Sequence, residues 1–356
     1  MNPRRIDPKD FPKEGSQEAQ IRFILAFAVL APSTHNTQPW LFKIEGDTVH
    51  IYANKEYLLP KADKQRRDFF ISFGCLFENL VTAGEYFKVL SELTIRDVSG
   101  SDGSGGAEGS KDFDFSKPIA SARFIVNTTG EKNKEYERAF NAMLIRINAR
   151  GVFADVAVDT ETKNTILSIA AQFNEEKINT ILIDDKEKIK SIAALTKQGL
   201  RIAYKDKSFR HEMSGWMNSN LSHKKEGIPG YALKMPFFLS LIIPKLIRYK
   251  DIGAKLGQLN ERSIASAPLI TVITAKDDSP RSWINVGMLA ERLFIELYAR
   301  NYQTSIFVST VEMGELYKDL QKIVSTTDRP QFLFVVGKVD SLHTPTPRHD
   351  LEKKII

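Results

Sequence analysis

The sequence predicts an α+β fold built twice, with helices covering mainly antiparallel sheets in two fused halves of one chain. Three observations predict it. Helical and strand-like patterns interleave with hairpins rather than recurring as strand–helix–strand units. Two long helices with apolar stripes, near 66–87 and 282–300, overlay without a gap. A chain of 356 residues exceeds one ordinary domain and suits two.

The elements follow in order. Residues 17–30, QEAQIRFILAFAVL, read as a helix that stops at Ala31-Pro32, because proline cannot continue it. QPWLFKIEGDTVHIYAN alternates apolar residues around Gly46-Asp47 and predicts a hairpin. Residues 66–87 form an amphipathic helix, 98–113 a Gly/Ser-rich surface loop, SARFIVN a strand and 134–147 a helix. Helices are then expected at 160–173, 186–198 and 207–218. Residues 219–262 give no clean period and read as a lid-like insertion. APLITVITA (267–275) is a buried strand, 282–300 the second long helix and QFLFVVGKV (331–339) a last strand.

In the overlay of the long helices Gly74 falls on Gly287, Leu76 on Leu289, Glu78 on Glu291 and Leu80 on Leu293, at one constant offset. The apolar stripe carries over as well, which any two amphipathic helices could share. The matching glycine and glutamate favour a true repeat. The division expected is 1–139 and 140–356, the second half carrying the insertion 219–262.

Composition excludes several classes. Apolar residues make up 42% and charged residues 26%, the balance of an ordinary globular protein. The net charge is +6, yet the cations are scattered among 44 acids with no basic stripe, so nucleic acid is not the expected partner. The most apolar run, 237–247, is too short to span a bilayer, which takes about 20 residues. It reads as a buried or lid-like helix, with a membrane-surface segment as the alternative. Cys75 is the one cysteine, so no internal disulfide forms; this fits a reducing, cytoplasmic setting, with Cys75 filling the core. No metal-ligand set is expected.

Three segments carry chemistry. In Ala31-Pro32-Ser33-Thr34-His35-Asn36-Thr37-Gln38-Pro39-Trp40, Pro32 halts a helix and gathers hydroxyls, an amide and free backbone N–H groups in a compact turn. Such a turn suits a planar heterocycle with donors and acceptors along one edge; it also suits an ordinary capped connection. In Arg146-Ile147-Asn148-Ala149-Arg150-Gly151-Val152-Phe153, two arginines four apart can converge on one dianionic phosphate. Exposed arginines at a helix end are common, and spacing alone does not decide. In the tail TPTPRHDLEKKII, two prolines stiffen an arm that carries Arg348.

APSTHNTQPW resembles the Ala-Pro-Ser-x-x-Asn-x-Gln-Pro-Trp signature of the FMN-dependent nitroreductase family. The resemblance implies a three-layer α-β-α sandwich in each half and an intramolecular pseudo-dimer, with Pro32, Ser33, Thr34 and Asn36 against the isoalloxazine or ribityl region. The segment from Arg146 to Phe153 is similar to the family's Arg-Arg-Ser-x-Arg-x-Phe opening, which holds the FMN phosphate. The implied ligands are Arg146, Asn148 and Arg150. Asn148 stands where serine is usual, as in the dormancy-associated two-domain subfamily. Arg348 matches the basic residue that completes the phosphate site near the C-terminus. NYQTSIFVSTVEMGEL (301–316) corresponds to a strand passing the flavin's reactive edge, where Ser309 and Thr310 supply backbone contacts. The halves also depart from the pattern: the first lacks the arginine element, since Arg4-Arg5 stand alone, and in the second AAQFNEEKINTILI (170–183) replaces the Pro-Ser turn. One complete site per chain is therefore expected, in a monomeric pseudo-dimer, with further dimerisation as the alternative. The resemblance implies an oxidoreductase that takes hydride from NAD(P)H and reduces a nitroaromatic, a quinone or a similar acceptor, with no catalytic side chain named. The alternative is a flavin-binding or storage protein with a lidded site.

Overall fold

The computed structural model describes residues 3–97, 113–342 and 344–356. All but the last residue of the expected Gly/Ser-rich loop lies outside them. The first half runs α1 (Gln17–Ala28), β1 (Trp40–Glu45), β2 (Thr48–Ala53), α2 (Arg67–Tyr86), β3 (Leu90–Ile95) and β4 (Ala120–Phe124). Helix α1 begins where Ser16 Oγ accepts the Ala19 N–H at 3.2 Å. The β1–β2 hairpin turns at Gly46, whose φ of +61° costs a glycine little. Its register pairs Trp40 with Ala53 and Glu45 with Thr48, which sends Val49, Ile51 and Ala53 into the core. The sheet order is β1-β2-β4-β3, antiparallel throughout.

Helices α3 (Lys134–Ile145) and α4 (Thr160–Ala171) lead to β5 (Ile178–Ile183). An excursion follows: α5 (Lys186–Lys205), α6 (Lys207–Trp216), the short β6 (Met217–Asn218) and β7 (Ile228–Pro229), α7 (Phe237–Tyr249) and α8 (Gly253–Ser266). The chain then rejoins the sheet as β8 (Leu269–Ala275), α9 (Pro280–Ala299), β9 (Gln303–Ile306), α10 (Ser309–Glu312), α11 (Leu316–Val324) and β10 (Arg329–Gly337). The second sheet has the order β5-β8-β10-β9. Taken as first, second, third and fourth strand of each half, the two orders are the same, and the long helix follows the second strand in both. The difference lies between the first two strands: two residues join β1 to β2, whereas α5 through α8 join β5 to β8. The inserted material therefore begins at α5, well before the 219 expected from sequence.

The repeat is seen most directly where α2 crosses α9. A Cβ on Gly74 would sit 2.0 Å from the Ile284 carbonyl oxygen, and one on Gly287 would sit 2.1 Å from that of Ile71. The two contacts are reciprocal at the offset read from sequence, as a twofold relation between the helices requires. Beyond them, Glu78 pairs with Arg292 at 2.7 Å, and Glu291 takes the Asn79 amide at 3.0 Å. Strands β8 and β10 are buried on both faces. One core holds Ile273, Phe332 and Phe334 against α9, and another holds Val272, Leu333 and Val335 against α5, α8 and α11. That half is a three-layer α-β-α sandwich. The tail returns to the first half, where Ile355 pairs in parallel with Phe42 of β1.

Candidate functional site

Helix α1 ends short of Pro32, and the chain then takes three left-handed residues in four: His35 (φ 51°), Asn36 (φ 56°) and Gln38 (φ 52°). None is glycine, so each conformation is strained and has to be held by its surroundings. Ser33 Oγ accepts the Gln38 N–H at 2.9 Å, and the Thr34 N–H donates to Ser72 Oγ on α2 at 3.2 Å. Asn36 Nδ2 donates to the carbonyls of Lys225, Gly227 and Pro347, while its Oδ1 accepts from Arg348 at 2.8 Å. Gln38 Nε2 reaches the Lys225 carbonyl at 2.7 Å, and Lys354 Nζ reaches the Gln38 carbonyl at 2.6 Å. The turn is thus a first-half segment locked by the excursion and the tail of the second half. Trp40 packs edge-on against Phe73, fully buried.

Four arginines line the same cleft as this turn. Arg348 is committed to the end of α1: it donates to the carbonyls of Val29 (3.1 Å), Leu30 (2.9 Å) and Ala31 (3.0 Å), to Asn36 Oδ1 and to Thr346 Oγ1. Instead of the phosphate ligand expected from sequence, this geometry makes it the cap of a helix that proline has cut short. Arg146 lies 2.9 Å from Glu291 and donates to the Leu30 carbonyl. Burial raises the Glu291 carboxyl to about 7 against the pull of Arg146, and its Oε2 has no hydrogen bond among the described residues. Arg4 donates from Nε to the Thr346 carbonyl, and burial together with Arg146 lowers it to about 10. Arg150 has no hydrogen bond or ion pair to any described residue; desolvation alone lowers it to about 10. It stays cationic at neutral pH. Asn148 accepts the Ile306 N–H at 3.1 Å, which fixes the strand leading from Arg146 to Arg150 against β9.

These groups line one cleft of about 260 Å³ between the halves. Pro32, Ser33, Thr34 and Asn36 line it together with Arg4, Arg146, Asn148, Arg150 and Arg348. Ile71, Phe294, Ile306, Val308 and Phe332 make it apolar between them, and Ile228 and Ala232 of the excursion complete it. Ser309 and Thr310 are absent from this lining. The chain leaves the sheet after Ile306 and turns into α10, where Ser309 Oγ donates to the Thr196 carbonyl at 2.9 Å and Thr310 Oγ1 meets Thr196 Oγ1 at 2.8 Å. Both hydroxyls bind α5, because Gly199 lets that helix come against the Ser309 backbone. Ile306 and Val308 of the same segment line the cleft. The apolar run 237–247 is likewise absent from the lining.

Sequence reading passed over Arg4, His35, Asp68 and Ser72, all of which line the cleft. Nothing local marks Ser72 or Asp68, and Arg4 lacks the residues that would have made a motif. Burial holds His35 near 4, so its ring is neutral at pH 7, with Nδ1 unpartnered among the described residues. Burial also raises the Cys75 thiol far above its usual range, so it stays protonated; its Sγ donates to the Gly287 carbonyl. Asp68 belongs to a buried acid group in which Arg67 lies 2.9 Å from it and 3.6 Å from Glu312. Arg67 helps keep Asp68 ionised, while burial and Asp68 raise Glu312 well above the carboxylate range. Among the described residues no cluster of His, Cys, Asp and Glu could hold a metal ion.

No family model matches the chain. Over 63 residues it is 32% identical to two Mycobacterium tuberculosis proteins, from strains CDC 1551 and H37Rv, that are named as NAD(P)H nitroreductases. That match spans 18% of this chain and 18% of each relative's length. A Desulfitobacterium hafniense nitroreductase with bound FMN aligns over 62% of this chain and 97% of its own, at 13% identity and a TM-score of 0.39. Oxidized iodotyrosine deiodinase bound to FMN and 3-iodo-L-tyrosine aligns over 60% and 95%, at 13% identity and a TM-score of 0.40.

Proposed function

We propose that the cleft binds FMN and that the chain is an NAD(P)H-dependent oxidoreductase of nitroreductase type. Its acceptor is a nitroaromatic, a quinone or a similar small molecule. The observation that carries the reading is Arg150. A desolvated guanidinium with no hydrogen bond or ion pair to any described residue, lining the same cleft as Arg4 and Arg146, is a site waiting for an anion, and a phosphate monoester supplies one. The remainder of the cleft fits the rest of FMN: apolar walls for a flat ring, and the 32–36 turn for its polar edge and ribityl hydroxyls. Arg150, Arg4 and Arg146 would hold the phosphate, with Asn148 positioning their strand.

Bound there, FMN supplies the hydride and electron transfer that no side chain of the cleft can perform. The protein's own residues bind and orient. His35 is neutral, Cys75 keeps its proton and Asp68 stays ionised, so none of them is a proton donor at neutral pH; protons come from solvent. Halves at 1–139 and 140–356 suit this site, since both contribute lining residues.

A second reading, a flavin-holding protein with little turnover, is favoured by one feature. The 225–232 segment is strapped to Asn36 and Gln38, and its Ile228 and Ala232 line the cleft. The decisive experiment is the visible spectrum and FMN titration of the purified protein, followed by steady-state oxidation of NADH and NADPH with a quinone. Flavin absorbance with sustained turnover supports the enzyme, and flavin without turnover supports the second reading. Apo-protein that takes up no FMN sinks both.

A further inference from the structure

Helix α7 buries Ser240, Ile243 and Ile247 against the rest of the excursion and turns its other side to solvent. On that side Phe238 is 80% exposed, Ile242 57% and Tyr249 71%, with Leu241 beside them. A surface helix of a globular protein ordinarily presents polar groups there. A contiguous apolar patch edged by charge marks a place of contact.

The charge on the segment that carries the patch has one sign. From Gly227 to Lys250 the sequence contains no Asp or Glu, while Lys234, Lys245, Arg248 and Lys250 are all exposed. At 100° per residue, Lys245 emerges between Leu241 and Phe238 on the outward side, and Arg248 lies at its margin. We propose that α7 lies on the surface of a membrane rich in anionic lipid. Phe238, Leu241, Ile242 and Tyr249 enter the boundary between headgroups and acyl chains, and the cations meet lipid phosphates. Among the described residues no helix is long and apolar enough to cross a membrane, so the contact is with one leaflet. A second copy of the chain fits less well. A twofold contact through this side would bring Lys245 and Arg248 onto their own equivalents with no carboxylate between them.

Co-sedimentation of the full chain with lipid vesicles tests the proposal and reads nothing from the cleft, so its outcome is independent of any flavin. We expect binding to phosphatidylcholine–phosphatidylglycerol vesicles, at least about tenfold weaker binding to phosphatidylcholine alone, and release by salt. Two double variants, Phe238→Asp with Ile242→Asp and Lys245→Glu with Arg248→Glu, should each lose that binding while keeping the wild-type melting curve. All four positions face solvent. The proposal is overturned if the wild type ignores both vesicle types, binds both equally, or binds through a surface these variants leave intact. It is also overturned if sedimentation velocity shows a dimer that the variants dissociate, for then α7 is a protein interface.

Discussion

Arg348 donates to three carbonyls at the end of α1 and to Asn36, whereas Arg150 donates to none of the described residues. Replacing each with alanine should therefore give different phenotypes. Arg150→Ala removes a charge-assisted phosphate contact of roughly 1.5–3 kcal/mol, so FMN should weaken on the order of 10- to 100-fold while riboflavin is little affected. Arg348→Ala leaves buried acceptors unpaired, at about 1–3 kcal/mol each, and should lower the melting temperature and weaken both ligands alike. Calorimetric titration of each variant with FMN and riboflavin separates the two outcomes. Glu291 gives a second prediction. Its folded pKa, about 7, lies above the ordinary 4.5, so the native state holds a proton that the unfolded chain has released. Stability due to this group therefore falls as pH rises from 4.5 towards 7 and is constant above that window. His35, held near 4, acts in the opposite sense over its own range, so the comparison has to be made by difference. Denaturant titrations at pH 5 and pH 8 should show Glu291→Gln losing less stability across the interval than wild type, by about 2–3 kcal/mol. An identical loss in both proteins would mean that Glu291 is ionised throughout.

The α2–α9 crossing depends on two glycines whose missing Cβ atoms make room for a carbonyl each. Gly74→Ala or Gly287→Ala has to push the helices apart, because the obstructing atom is backbone and cannot rotate away. Either change should destabilise the protein by on the order of 3 kcal/mol, read as a lower denaturation midpoint, and the double change should cost less than the sum. A single variant with an unchanged midpoint would show that the helices are not in contact there. The glycines were legible because a shared Gly and Glu rode on the same apolar stripe. The turn after α1 was legible for a similar reason: proline, asparagine and small hydroxyl residues crowd into ten positions. What the sequence concealed was register and destination. Strand β9 stops at Ile306, not at Ser309, because Gly199 on α5 draws the next residues out of the sheet. Arg348 looks like a phosphate ligand until the carbonyls of α1, more than 300 residues away in sequence, are seen to occupy it. No local pattern encodes either fact.

Across the whole molecule the two halves keep the same strand order but not the same turns. Ser72 and Asn285 occupy equivalent positions on α2 and α9. Ser72 accepts the Thr34 N–H at the cleft, whereas Asn285 Nδ2 donates to a carboxylate, Glu176, at 2.6 Å in the α4–β5 connection. An acid there fills the place that the first half gives to the turn's backbone N–H, so titration of the apo-protein should find one FMN per chain. Two equivalent sites would show that the second half had not closed its own. The tail has a consequence in time as well as in space. Asn36 meets Arg348 across 312 positions of sequence, and Phe42 meets Ile355 in parallel pairing. A ribosome makes the strained turn more than 300 residues before these anchors, so Asn36 and Gln38 wait for the partners that Arg348 and Lys354 supply. A nascent chain that has not yet reached residue 346 could form both sheets and still lack the Arg348 contribution to the cleft, which makes docking of that segment a late step in assembling the site.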